Sequence, residues 1–181
     1  MKINYSLFRG SVNKNLSILY VYRFEPAGDF ATIKERPNGS VSIYPAFGIS
    51  VSNGYERDSV YITSSQYFAF TSLLEKSVKL ISEHLYELFP NVDRAEFEID
   101  GKMLDRFQTE KAVSSDGITM IPAVWVNSET NQCHPGLKIE TLKYGSICIP
   151  LQDAIPAAKM FETFDPHLFG VSMLRVCGRI Q

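Results

Sequence analysis

Aromatic rings and cations are interleaved at two places in this chain. In the first, Tyr20 and Tyr22 precede Arg23, Lys34 and Arg36 follow on the next segment, and Tyr44 lies shortly beyond. In the second, Trp125 is joined by Lys138 and Lys143. A protein holds an unpaired nucleic-acid strand with these two devices, cations along the phosphates and ring faces under the bases, each stacked base contributing about 1–3 kcal/mol. The competing reading is burial, since rings that alternate along a strand more often fill a core. Phe24 and Phe30 are expected there, whereas the hydroxyl of a tyrosine needs water or a partner and tips Tyr20 and Tyr22 toward a wet surface. Lys34 and Arg36 flank an Asn-Gly turn and are solvated in either reading.

Other chemistries have weaker warrants. Cys133-His134 with Cys177 or His167 could be imagined around zinc, but structural zinc sites favour close ligand pairs and the chain has no C-x-x-C. No metal or cofactor is expected. Glu96 and Glu98 share a strand face, as a magnesium-dependent nuclease would require; a solvated sheet edge accounts for them more simply. There is no G-x-S-x-G elbow, P-loop or G-x-G-x-x-G. No catalytic residue is assigned, and the chain is not expected to be an enzyme.

The formal charge of −2 over 181 residues supplies no global field toward polyanions, so any such site must be a local patch. Glu25, Asp29, Glu35, Glu56 and Asp58 share the half that carries the first patch and must face elsewhere. Three widely spaced cysteines suggest a reducing compartment. The amino terminus lacks a signal-peptide apolar run and no segment approaches a membrane span, so a cytoplasmic location in a prokaryotic or phage-infected cell is expected.

Positioning these residues requires elements, and the pattern supplies a strands-then-helix unit twice. Strands are expected at 16–24, 30–35, 41–51 and 60–62, with Pro45 and Gly48 marking a bulge or an edge. The segment 1–13 reads as an arm or edge strand. The period then changes from 2 to 3.6. Thr63-Ser64-Ser65-Gln66 has capping-box spacing, and Phe70, Leu74, Val78, Ile81, Leu85 and Leu88 draw one stripe on a helix of about seven turns. Glu75 and Lys79 are spaced as an i,i+4 pair, and Pro90 ends the helix. In the second half, strands are expected at 95–99, 103–108, 118–127, 137–142 and 146–149, with 110–117 and 128–136 as loops. A helix should begin near Asp153 with Pro156 in its first turn. The expected fold is one α+β domain, β4-α-β4-α, with repeats at about 14–89 and 93–164 and a tail at 165–181. So long a stripe exceeds what one small sheet covers. Either the helix lies diagonally over both sheets or it packs on another subunit, the latter making a homo-oligomer.

Val60-Tyr61-Ile62-Thr63-Ser64 with Gln66-Tyr67-Phe68, and Ile147-Cys148-Ile149-Pro150-Leu151 before an Ala- and Phe-rich helix, share a strand-cap-helix phrase. With the β4-α-β4-α order at this length, the chain resembles the Whirly family, and its half-unit resembles the positive transcription coactivator and its bacterial and phage relatives. The Lys-Gly-Asn/Lys-Ala stretch of plant Whirly proteins has no clear counterpart, so no residues carry over from it and assembly of the plant type is not implied. The resemblance implies two antiparallel sheets with single-stranded nucleic acid laid across them. The function expected on that basis is binding of single-stranded DNA, or RNA, with little sequence preference in replication, recombination or transcription. The alternative is a non-enzymatic interaction or assembly module of a phage or mobile element.

Overall fold

A computed structural model describes residues 2–23, 31–35, 41–45, 47–54, 58–89 and 111–176. The side chains at 2, 3, 22, 23, 31–35, 41–45 and 174 lie outside that description. The strands are β1 (Lys2–Arg9), β2 (Ser17–Arg23), β3 (Ala31–Glu35), β4 (Val41–Pro45), β5 (Phe47–Ser52), β6 (Ser59–Thr63), β7 (Val113–Ser115), β8 (Ile118–Val126), β9 (Cys133–Thr141) and β10 (Gly145–Pro150). The helices are α1 (Tyr67–Glu83), α2 (Leu85–Leu88), α3 (Leu151–Thr163) and α4 (Pro166–Val176).

Two four-stranded antiparallel sheets, ordered β1-β2-β5-β6 and β10-β9-β8-β7, are each followed by a helix, as the α+β β4-α-β4-α reading requires. The membership of the first sheet differs from expectation. The lead-in forms its edge strand β1, one of the two readings expected for 1–13. The expected second strand and the start of the third leave the sheet as a separate two-stranded ribbon, β3-β4. Pro45 marks the exit, because a proline cannot donate to a ladder and closes β4 before β5 joins β2. In the second sheet, Val113–Ser115 is a short edge strand inside the expected 110–117 loop, and β9 begins at Cys133 inside the expected 128–136 loop. The strands expected at 95–99 and 103–108 lie outside the described residues.

Alternation puts one face of each sheet into a shared core. Ile18, Val51 and Val60 form one cross-strand row and Tyr20, Ile49 and Ile62 the next; Met120, Ile139 and Ile147 form the matching row in the second sheet. Phe70, Leu74 and Ile81 of α1 and Ala154, Ala157 and Phe161 of α3 join the same cluster. The small alanines let α3 sit close to β9 and α1.

At the entrance to α1, Thr63 N–H donates to Gln66 Oε1 at 3.2 Å, the return half of the capping box. Gln66 Nε2 also donates to the Asp116 carbonyl at 2.8 Å, tying this junction to the β7-β8 turn. α1 contacts β6, β7, β8 and α3, so it spans both sheets within one chain. The regular helix stops at Glu83, with His84 at φ −113° and ψ 26°, before the single turn α2. Its buried stripe is therefore covered intramolecularly, and helix length gives no ground for an oligomer. Lys79 approaches Glu83, at 3.9 Å, with both side chains exposed.

α3 starts at Leu151, which puts Pro156 in the helix interior rather than its first turn. The tail forms a fourth helix. Asp165 Oδ1 accepts the N–H groups of His167 and Leu168, both at 2.9 Å, with Pro166 at the first helical position. Among the described residues no helix is long and apolar enough to cross a membrane.

Candidate nucleic-acid interface

The carboxylate of Asp153 organises the turn between β1 and β2. It lies in the first turn of α3, fully buried. Oδ1 accepts the N–H groups of Ser11 at 2.7 Å and Val12 at 3.1 Å and the Ser11 hydroxyl at 3.0 Å; Oδ2 accepts the Asn13 N–H at 2.8 Å. The helix N-terminus favours negative charge at this position. Gly10 permits the close approach, since a Cβ there would lie 2.3 Å from the Asn13 carbonyl and 2.7 Å from Asp153 Oδ2. From Asn13 the network continues. Its Nδ2 donates to Asn53 Oδ1 at 2.7 Å, and Asn53 Nδ2 donates to the Cys148 carbonyl at 3.2 Å. One chain of hydrogen bonds thus joins the first sheet's turns to β10 and α3.

The clamped turn presents Lys14 and Asn15, both exposed, to the end of β8. There Val12, Asn13, Lys14 and Asn15 face Trp125, Asn127 and Glu129 across a polar cleft of about 190 Å³. Trp125 is half-buried, with its ring 5.6 Å from that of His134, its cross-strand neighbour on β9. A half-buried indole lining a cleft beside a lysine and several amides is of the right chemistry to stack a base and pair its phosphate.

The register extends this arrangement along the second sheet. Trp125 pairs with His134 and Ile121 with Lys138, so alternation places Trp125, His134, Lys138 and Glu140 on the face opposite the core. Lys138 is half-buried and bonded to Glu140, which holds its ammonium on that face. At the other end, in the β9-β10 turn, Lys143 Nζ sits 5.3 Å from the centre of the Tyr144 ring, and Tyr144 meets Tyr61 of β6 edge-on at 5.5 Å. Tyr61 crosses over Gly48, where a Cβ would lie 1.9 Å from its Oη. From His134 to Thr141 the strand covers about 23 Å at 3.3 Å per residue.

The first expected patch does not assemble on one sheet. Tyr20 is 1% exposed and belongs to the core, a correction to its expected role as a base platform. It stacks on Phe47 at 5.4 Å, meets Phe169 edge-on at 4.9 Å, and donates its hydroxyl to the Pro166 carbonyl at 3.2 Å. The tail helix α4 thus supplies the polar partner that water was expected to give. Tyr22 and Arg23 end β2, opposite Ile3 and Lys2. Lys34 and Tyr44 belong to the separate ribbon, opposite Ser42 and Thr32, so they do not share a sheet with Tyr20 and Tyr22. The side chains of these four, and the whole of Arg36, lie outside the described residues. The second patch gathers better, with Trp125 and Lys138 on one face and Lys143 at its far end. Lys14 was missed because its aromatic neighbour is remote in sequence; the polar Asn13-Lys14-Asn15 between two apolar strands was the available signal.

The remaining chemical groups have structural surroundings. Burial pushes the Cys148 thiol up to about 12, with Lys138 pulling the other way, and its Sγ lies 3.5 Å from the Val124 carbonyl. His84 is exposed with Nδ1 2.9 Å from Glu87. Among the described residues no three His, Cys, Asp or Glu side chains gather as a metal-ligand set. Cys177, Glu96 and Glu98 lie outside them. No protein-family model, curated protein or solved structure matches this chain.

Proposed function

We propose that this protein binds single-stranded nucleic acid, DNA foremost, with little sequence preference. The strand would run along the outer face of the second sheet, from the cleft of Trp125 and Lys14 past Lys138 toward Lys143. The observation that carries this reading is the convergence, from different sheets, of a half-exposed indole and a lysine on a clamped turn. The β4-α-β4-α architecture supports it, being the arrangement for which the Whirly resemblance implies strands laid across sheets. Action in replication, recombination or transcription inside a cell, as a homo-oligomer, belongs to the same reading.

Trp125 is the sole tryptophan of the chain, so its fluorescence reports the proposed contact directly. Oligo-dT should quench it, with affinity falling as salt rises by a log–log slope of about −0.7 per phosphate engaged. Trp125→Ala should weaken binding about 5- to 150-fold, the equivalent of one lost stack. Lys14→Glu with Lys138→Glu should weaken it further and flatten the salt slope. Unquenched fluorescence together with no gel shift of DNA or RNA at low salt would refute the reading. A second reading, a protein-interaction module, is favoured by a separate groove between α1 and α3.

A further inference from the structure

That groove has a volume of about 530 Å³, within the roughly 300–1,000 Å³ usual for ligand sites. Two of its wall rings, Tyr67 and Phe161, are only 3% and 5% exposed, so the ring left open to a ligand is Phe68. Tyr67 meets Phe161 at 6.0 Å and Phe68 at 5.7 Å, and its hydroxyl donates to the Phe164 carbonyl at 3.1 Å, which fixes the ring. Phe68, 70% exposed, stands at the rim with little to cover it. Around these rings lie the exposed carboxylates of Glu75 and Glu162, together with His167 and with Asp165, whose Oδ1 already caps α4; no lysine or arginine is among the described lining residues.

Ring faces and carboxylates attract the same kind of group. The negative face of an aromatic ring draws a cation, and a carboxylate completes its pairing. A phosphate would be repelled here, so the groove is separate from the lysine-lined face of the second sheet. A purely apolar segment would cover carboxylates without pairing them, which is costly. Arginine suits the site better than lysine, because its planar guanidinium stacks on rings while donating two parallel bonds to a carboxylate. The volume also exceeds one guanidinium, leaving room for the residues on either side of it. We propose that the groove between α1 and α3 receives an arginine side chain presented by a partner protein.

The test uses the full chain and NMR titration. N-acetyl-arginine amide should give saturable shifts at Phe68, Thr71, Ser72 and Glu162, and the uncharged N-acetyl-citrulline amide should not. A blocked pentapeptide with arginine at its centre should bind about tenfold more tightly than the single residue, since more of the groove is filled. Glu75→Gln with Glu162→Gln, both at exposed positions, should weaken the peptide about tenfold while leaving the unfolding midpoint and oligo-dT binding unchanged. Equal shifts from the arginine and citrulline compounds, or none from either, would overturn the proposal. So would equal affinity for peptide and single residue, which would assign the groove to the free amino acid. Conversion of an oligomer to a monomer by Phe68→Ala, seen by sedimentation, would assign it to a second copy of this chain and would equally overturn it.

Discussion

Replacing Asp153 with alanine removes the acceptor for three backbone N–H groups and one hydroxyl. Each buried donor left without a partner costs about 1–3 kcal/mol. The Asn13 bond is buried, whereas those of Ser11 and Val12 are only partly so, and water reaching them lowers their share. A loss of about 3–5 kcal/mol follows, a large part of the roughly 5–15 kcal/mol that holds a domain folded. With a urea slope of about 2–3 kcal/mol per M for a chain of this size, the midpoint should fall by about 1–2.5 M. Asp153→Asn should cost less, about 1–3 kcal/mol, because one oxygen survives while the new amide confronts the Asn13 N–H. The assay is urea unfolding followed by tryptophan fluorescence and far-UV circular dichroism. Binding gives a second readout: the asparagine variant, held under folding conditions, should lose part of its oligo-dT affinity because the turn carrying Lys14 keeps only the bonds to the surviving oxygen. An alanine variant within about 0.5 kcal/mol of the parent would refute the clamp, that being the usual range for an inconsequential surface change.

Other expectations rest on single features. At pH 8, iodoacetamide should modify Cys133 ahead of Cys148; both are half-buried, but desolvation holds the Cys148 thiol neutral, and equal labelling in mass mapping would contradict that shift. Tyr67 is pushed up to about 12, first by burial and then by Asp165, and Cys148 also to about 12, so the folded state keeps protons that the unfolded chain has released. Their contribution is complete below pH 9 and is lost as pH climbs toward 12, so the urea midpoint should decline across that window, and less steeply in Tyr67→Phe. Pro156 lacks the N–H that would bond the Gln152 carbonyl, so Pro156→Ala should stabilise the fold by about 1–3 kcal/mol, read from the same unfolding curves.

Local signals in the sequence were legible where short-range physics decides the outcome. The change from period 2 to 3.6 after Ile62, the return bond of Gln66 and the inward row of α1 all follow from spacing along one segment. Sheet membership was not legible, because whether residues 31–45 pair with β2 or with each other depends on contacts remote in sequence. Tyr20 shows the same limit, since its hydroxyl is satisfied by a carbonyl 146 positions away. The start of α4 was written plainly in Asp165-Pro166, a cap followed by a proline at the first helical position, although the segment was expected only as a tail. In the candidate interface, Trp125, Lys138 and Lys143 were visible as residue types. Lys14 gains its meaning only from the turn that holds it opposite Trp125.

Ser11 and Asp153 are 142 positions apart. During synthesis at about 5–20 residues per second, the amino-terminal strand pair emerges roughly 7–28 s before the carboxylate that fastens its turn. Over that interval the turn after β1 has unsatisfied amides and the inward faces of the strand pair lack the second half of the core, the kind of surface that invites chaperones or wrong pairing with a neighbouring nascent chain. Truncated products ending before α3 should therefore be recovered as aggregates rather than as half-folded units, and the last third of the message governs whether the first third ever becomes rigid.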